Sequence, residues 1–420
     1  MWCLSTIFVA CALISAASAE LLSQWVPSEC TRSPLLLQHH LACPSPWKVS
    51  SPRRQKPGTP KSVKFNWKGK RHPSWEGPYD CVGKYCTYFN RHLNGGMVFI
   101  SVESNIQIID QFPVHPTYSP SSTLSTDEAP FYAAQIPGKG IGLIARRTIH
   151  RNEVIMRNTP ALLVQFGPHI DLPSSQRDDL YGKAVRLLPT SRRREFLRQH
   201  GGDIQAKVDK NSFRLFINGK RSFSGHIGVY PDISRFNHDC RPNVNYRLDN
   251  ITHITTAVRD IRPGEELTIS YIDGHLPRHE RQSRLRDWGF ECTCPHCSLP
   301  AAEVSVSDLR MERIRIIEDE LGAMISGEEE VDTSLGEELV QLYDKERFWM
   351  YIGPALGRAA VVHAMVGNEM EAVEYARRAA EALAREKGPT HAETLSMRVL
   401  KEMPREHRAW ATGKKGGGRG

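Results

Sequence analysis

The chain has 420 residues, enough for two or three domains and a core of ordinary size. With 40% hydrophobic and 24% charged residues, its composition is that of a globular protein rather than of a disordered chain. The net charge of +8 favours anionic or acidic partners, as a statement about the surface field only.

Leu4 to Ala17 is apolar and small, Ala17-Ser18-Ala19 is an A-x-A cleavage pattern, and Glu20 is the first charge. This reads as a signal peptide over 1–19, although its n-region lacks Lys or Arg, and it predicts entry into the secretory pathway. An intracellular location stays open. No later run reaches the ~18 apolar residues of a membrane span, so the mature chain is expected to be soluble. Residues 20–74 are Pro-, Ser- and base-rich and read as irregular. Between Arg53 and Arg71 stand eight basic residues and no acidic one. Such a run is usually solvated and disordered; a nucleic-acid or membrane-surface patch is the alternative, and no sequence-specific nucleic-acid binding is predicted. Residues 75–115, with Cys81, Cys86 and a strand-like run at Met97–Val102, read as a small cap. In an oxidising lumen Cys30, Cys43, Cys81 and Cys86 would form two disulfides, in one of three pairings. A Ser/Thr/Pro linker from Pro116 to Pro130 sets a boundary, closing an N-terminal region over 20–130.

Short β-like runs follow at Ile141–Ala145, Glu153–Met156, Ala161–Gln165, Val244–Arg247, Ile254–Ala257 and Glu266–Ile269. A helix is predicted over Ser174–Gly201, inside a helical insert of about 170–225. Asn250-Ile251-Thr252 is a glycosylation sequon at an expected hairpin tip. After Pro300 the chain turns helical, with candidates at Leu309–Met324, Ser334–Phe348, Gly357–Val366, Met370–Glu386 and His391–Lys401. Gly367-Asn368 and Gly388-Pro389 supply stop signals. The small-residue spacing from Ala359 to Ala379 is similar to one tetratricopeptide-like helical pair, and an ordinary bundle fits equally well. Residues 412–420 form a basic, glycine-rich tail.

Four stretches carry chemistry. Gly138-Lys139-Gly140-Ile141-Gly142-Leu143 is a glycine turn. Arg235 to Asn243 (RFNHDCRPN) sets an amide beside an imidazole, followed by Cys240 and a proline-fixed turn. Pro263 to Tyr271 (PGEELTISY) is a turn feeding a strand that ends in tyrosine. Cys292-Thr293-Cys294-Pro295-His296-Cys297 packs three thiols into six residues.

In this order the four stretches resemble the SET domain with its zinc-binding post-SET segment, over about Ala133–Pro300. Asn237 to Asn243 looks like the N-H-S-C-x-P-N signature with Asp239 in place of Ser, and Gly264 to Tyr271 looks like G-E-E-L-T-x-x-Y. The spacing and the helical C-terminal region are most similar to the SET-and-MYND subfamily and to fungal SET-domain proteins of unassigned substrate; the insert lacks the Cys and His density of a MYND finger. The resemblance implies a mainly β fold of small curved sheets with a pseudoknot, a SET domain over 131–275, a post-SET zinc segment over 276–300 and a helical region over 301–411, α+β overall.

It also implies a protein-lysine N-methyltransferase that uses S-adenosylmethionine and acts, as a monomer, on a protein presenting a lysine. Methyl transfer to an amine needs neither metal nor covalent enzyme intermediate. It needs alignment of nitrogen, carbon and sulfur, and a dry channel that disfavours an ammonium whose free pKa is ~10.4. By the resemblance Tyr271 orients the amine at the channel floor, and Lys139, Gly140, Gly142, Asn237 and His238 hold the cofactor. Asn211 is a further cofactor contact and Phe290 packs on the cofactor. Cys292, Cys294 and Cys297 need one more ligand for a closed tetrahedral zinc site, and the family supplies it from the position of Cys240. His296 is a competing ligand, read here as a loop residue. A secretory address conflicts with free thiols and with the cytosolic supply of S-adenosylmethionine. The alternative function is therefore a non-catalytic, secreted SET-fold protein that binds a partner through its helical or basic regions.

Overall fold

Runs of β-branched and aromatic residues bounded by Gly, Asn and Pro become strands in the computed structural model. It describes residues 74–93, 95–109, 129–217 and 225–413. The apolar N-terminal stretch, the Arg53–Arg71 run, Cys30, Cys43, most of the linker and the end of the basic tail lie outside them.

In chain order the strands are β1 (Cys81–Val82), β2 (Tyr85–Asn90), β3 (Met97–Ser101), β4 (Phe131–Ile136), β5 (Gly140–Ala145), β6 (Val154–Asn158), β7 (Leu162–Gln165), β8 (Ser212–Phe216), β9 (Gly225–Val229), β10 (Asn237–His238), β11 (Val244–Asp249), β12 (Thr252–Ala257) and β13 (Glu266–Ile269). They form three sheets, ordered β1-β2-β3-β7-β9-β8, β10-β13-β5-β4 and β11-β12-β6. Small sheets followed by helices give the α+β architecture expected.

Two sequence expectations need correction. The segment 75–115 is no separate cap, and the chain does not divide at residue 130. Strand β3 pairs in parallel with β7, Val98 beside Leu162, so it lies inside the first sheet. The physical reason is visible in MVFIS, whose five residues are all buried, as in an interior strand covered on both faces. Within this part, Cys81 and Cys86 are cross-strand partners joined by a disulfide. The second correction concerns the insert. The single helix expected over Ser174–Gly201 is two, Ser174–Leu187 and Thr190–Leu197, separated at Pro189, whose ring cannot continue a helix. A further helix, Ile204–Asn211, ends the helical part; β8 follows within the stretch expected to be helical, and β9 begins at its end.

The C-terminal helices run Ala301–Ser326, Thr333–Lys345, Ile352–Met365, Glu369–Glu386 and Ala392–Glu402. Asp332 and Asn368 cap two of them by accepting from the backbone N–H groups of Ser334 and Glu371. Gly367 and Gly388, at φ +75° and +107°, follow the ends of Ile352–Met365 and Glu369–Glu386 as expected. Ala359, Ala360, Ala372, Ala376 and Ala379 are fully buried and let neighbouring helices approach closely. Among the described residues no helix is long and apolar enough to cross a membrane.

Candidate active site and metal centre

The second sheet builds the site. The β4–β5 hairpin turns through Gly138 and Gly140, both at positive φ, and exposes Lys139 at its tip. Across β13 lies β10, just Asn237 and His238, paired in parallel with Thr268 and Ile269. The Asn237 amide donates from Nδ2 to Glu266 Oε1 at 2.8 Å, and Lys139 Nζ pairs with Glu266 Oε2 at 2.8 Å. Gly142 faces this pair. A Cβ there would lie 2.8 Å from both Asn237 Nδ2 and Glu266 Oε1, so the position admits no side chain without moving them.

His238 is buried and anchored at both nitrogens. Its Nδ1 accepts the backbone N–H of Tyr271 at 3.0 Å, which leaves the proton of a neutral ring on Nε2, 3.3 Å from Cys240 Sγ. Burial, above all, pulls its pKa down to about 3, so the ring is neutral at physiological pH. Asp239 fills the signature's serine position, and its carboxylate accepts the Arg241 backbone N–H at 2.8 Å. Asn243 ties the loop to β13, donating to Glu266 O at 2.8 Å and accepting from Thr268 N at 2.9 Å.

Tyr271 lies two residues beyond the end of β13 and donates its hydroxyl to Phe236 O at 2.6 Å. That leaves the phenolic oxygen free to accept from a ligand. Burial, with Glu266 second, pushes this phenol well above its ordinary value, so it stays protonated. Around it stand His238, Trp288 and Phe290, with ring centroids 5.4, 5.8 and 6.4 Å away. A cavity of about 540 Å³ opens here, within the size range of small-molecule sites. Lys139, Gly140, Asn211, Asn237, His238, Tyr271 and Phe290 all line it. Gly142 does not line it; its role is the close packing just described. Asn211 donates both amide hydrogens inward, to His200 O and Lys207 O at 2.8 and 2.7 Å, so its carbonyl oxygen alone remains for a ligand. Sequence reasoning missed Trp288 and Glu266. The alternation of PGEELTIS offered a signal for Glu266: with Leu267 and Ile269 buried, Glu266 falls on the opposite face.

Behind His238 the sulfurs of Cys240, Cys292, Cys294 and Cys297 lie within 4.8 Å of one another, all buried. A tetrahedral zinc with ~2.3 Å bonds sets its sulfurs ~3.8 Å apart, so the four residues fit the ion. Gln282 clamps the segment, accepting from Cys292 N at 2.9 Å and donating to Cys292 O at 2.8 Å. Arg281, 1% exposed, supplies positive charge beside the thiols. His296 turns away, to Ser307 Oγ at 3.2 Å, which agrees with reading it as a loop residue.

The loop is also bolted to the helical region. Arg241 donates to Glu346 Oε2 at 2.9 Å and to the Glu346 backbone carbonyl at 2.8 Å, and its guanidinium lies over Phe348 at 4.5 Å. Arg310 and Ser307 donate to the same carboxylate, at 2.5 and 2.8 Å. Burial opposes this charge, but Arg241, with Ser307 and Arg310 behind it, holds the Glu346 carboxyl below its ordinary value.

Residues 140–272, which carry Asn237, His238 and Tyr271, match the SET domain family model. Human (Homo sapiens) Histone-lysine N-methyltransferase SMYD3 is 33% identical over 147 residues, which is 35% of this chain and 30% of that protein. Histone-lysine N-methyltransferase set5 of Schizosaccharomyces pombe is 30% identical over 190 residues, 43% of this chain and 54% of its own. Human N-lysine methyltransferase SMYD2 is 27% identical over 179 residues, 40% and 39% of the two chains. The chain thus spans between 30% and 54% of the length of these relatives.

Proposed function

We propose that this chain is a protein-lysine N-methyltransferase that takes S-adenosylmethionine in the cavity beside Tyr271. One observation carries the reading: seven of the eight residues that the resemblance assigns to cofactor and catalysis line one cavity, although they lie between positions 139 and 290. Bound there, the cofactor would supply an electrophilic methyl group on sulfur. Lys139, Asn237 and the Asn211 carbonyl offer polar contacts to it, and Phe290 and Trp288 offer apolar walls. Tyr271, its own proton committed to Phe236 O, offers an acceptor to an incoming amine. The aromatic walls disfavour the ammonium and exclude water from the aligned reactants.

The four cysteines would hold a structural zinc that pins the segment after β13 behind His238 and takes no part in the transfer. The names of the relatives favour a protein lysine as acceptor. For location we propose the secretory pathway, supported by the apolar N-terminal stretch and by the Cys81–Cys86 disulfide. Asn250, at φ +53° on the β11–β12 turn, should then carry a glycan that an N-glycosidase removes.

Calorimetric titration of S-adenosylmethionine into zinc-loaded protein should give saturable binding below about millimolar. Tritiated methyl transfer to a protein mixture should then appear, and fall at least ~100-fold in Tyr271→Phe. Absence of binding refutes the proposal; an unchanged rate in the variant refutes the role of Tyr271.

A further inference from the structure

We propose that Glu266 is a positioning residue for the cofactor, one carboxylate that sets both the Asn237 amide and the Lys139 ammonium at the cavity wall. The inference rests on the cofactor reading above. It starts from topology. In the sheet order β10-β13-β5-β4, strand β13 lies between the strand carrying Asn237 and the strand opened by the glycine turn. Glu266 stands opposite Ile144 of β5, and Thr268, two residues on, stands opposite Asn237. One side chain on the middle strand therefore reaches both flanks: Oε1 takes Asn237 Nδ2 and Oε2 takes Lys139 Nζ, each at 2.8 Å.

The consequence is chemical. A carboxylate offers lone pairs and no hydrogen, so the amide must turn its NH2 edge toward Glu266. Asn237 lines the cavity, and its carbonyl oxygen is the atom left to meet a ligand. Glu266 thus decides that Asn237 presents an acceptor, suited to an amino group of the ligand. Lys139, held by the second oxygen, is kept at the mouth with its other hydrogens free. Gly142 closes the arrangement from below, because any Cβ there would press on both members of the Asn237–Glu266 bond. The pairing of Glu266 with Lys139 is partly exposed and contributes little stability by itself. Its value lies in orientation.

A swapped pair tests this. S-adenosylmethionine affinity and melting temperature are measured on the zinc-loaded full chain for wild type, Glu266→Gln, Asn237→Asp and the double variant. In Glu266→Gln the new amide turns its oxygen to Lys139 and its NH2 to Asn237, so Asn237 rotates and shows the wrong edge; binding should weaken about tenfold. Asn237→Asp alone sets two carboxylates against each other and should weaken it further. In the double variant the new amide donates to the new carboxylate, whose second oxygen again faces the ligand as an acceptor. Binding should return to within about threefold of wild type, a coupling that a merely structural role does not produce. Melting temperatures separate loss of fold from loss of orientation, and the comparison of Glu266→Gln with the double variant decides even if Asn237→Asp fails to fold. Unchanged binding in Glu266→Gln, or a double variant no better than Glu266→Gln, overturns the proposal. If wild type itself does not bind, the cofactor reading fails first, and this inference with it.

Discussion

Replacing Glu346 by alanine should cost about 3 kcal/mol of stability, near the lower end of the ~3–5 kcal/mol typical of breaking a buried ion pair. The carboxylate is fully enclosed and accepts from Arg241, Arg310 and Ser307. Truncation leaves two cations without their anion, and Arg241 is only 5% exposed. The lower end applies because Arg241 keeps the backbone carbonyls of Glu346, Cys240 and Gly274 and the Phe348 ring. Glu346→Gln, which can still accept from one arginine, should cost roughly half as much. Urea unfolding followed by circular dichroism with zinc present reads both numbers. The sign with pH follows from a carboxyl held below its ordinary value: the contribution is full above the unfolded pKa and is lost as pH falls through the folded one. The variants should therefore lose the wild type's extra sensitivity to acid. Arg241 follows Cys240 directly, so Glu346→Ala should also hasten release of the metal to a chelator. A loss below ~1 kcal/mol in Glu346→Ala would show that the loop is not anchored through this pair.

Three further outcomes are expected. Gly142→Ala should overpack the site by about 1–3 kcal/mol, lowering either melting temperature or cofactor affinity; a variant equal to wild type in both contradicts the close approach. Chelation should remove about one zinc per chain and make the Cys292–Cys297 segment susceptible to protease, whereas full resistance after metal loss would mean that Gln282 and packing hold it alone. Burial pushes the Glu386 carboxyl up to about 8, against the ordinary 4.5, so the group favours folding most below the unfolded value and progressively less as pH rises toward 8. Glu386→Gln should flatten the stability profile across that window, and parallel profiles for the two proteins would rule this out.

Much of the site was legible in sequence because its parts are local. The Asn-His loop, the Pro-Gly turn into a strand, and three thiols in six residues each constrain their own backbone. Six of the predicted strands and the five C-terminal helices fell close to their observed places for the same reason. What sequence did not disclose is non-local. The pairing of β3 with β7 joins residues 64 positions apart, as in Val98 beside Leu162, and MVFIS alone does not name its neighbours. Strand β9, Gly-His-Ile-Gly-Val, has two glycines that weaken its β signal, and its place is set by the strands on either side. Glu266 opens an expected strand, but that strand does not name its partners, which are 29 and 127 residues away. Arg241–Glu346 spans 105 residues and gave no local mark.

The cavity beside Tyr271 has walls drawn from the glycine turn, the insert, the Asn-His loop, the end of β13 and the segment reaching Phe290. No partly folded chain lacking the last of these can present it whole. A small molecule that fits it will therefore recognise the finished fold alone, and its binding energy becomes folding energy. At a hundredfold excess over the dissociation constant that amounts to about 2.7 kcal/mol. The supply of such a ligand would thus shift the balance between folded and unfolded chain.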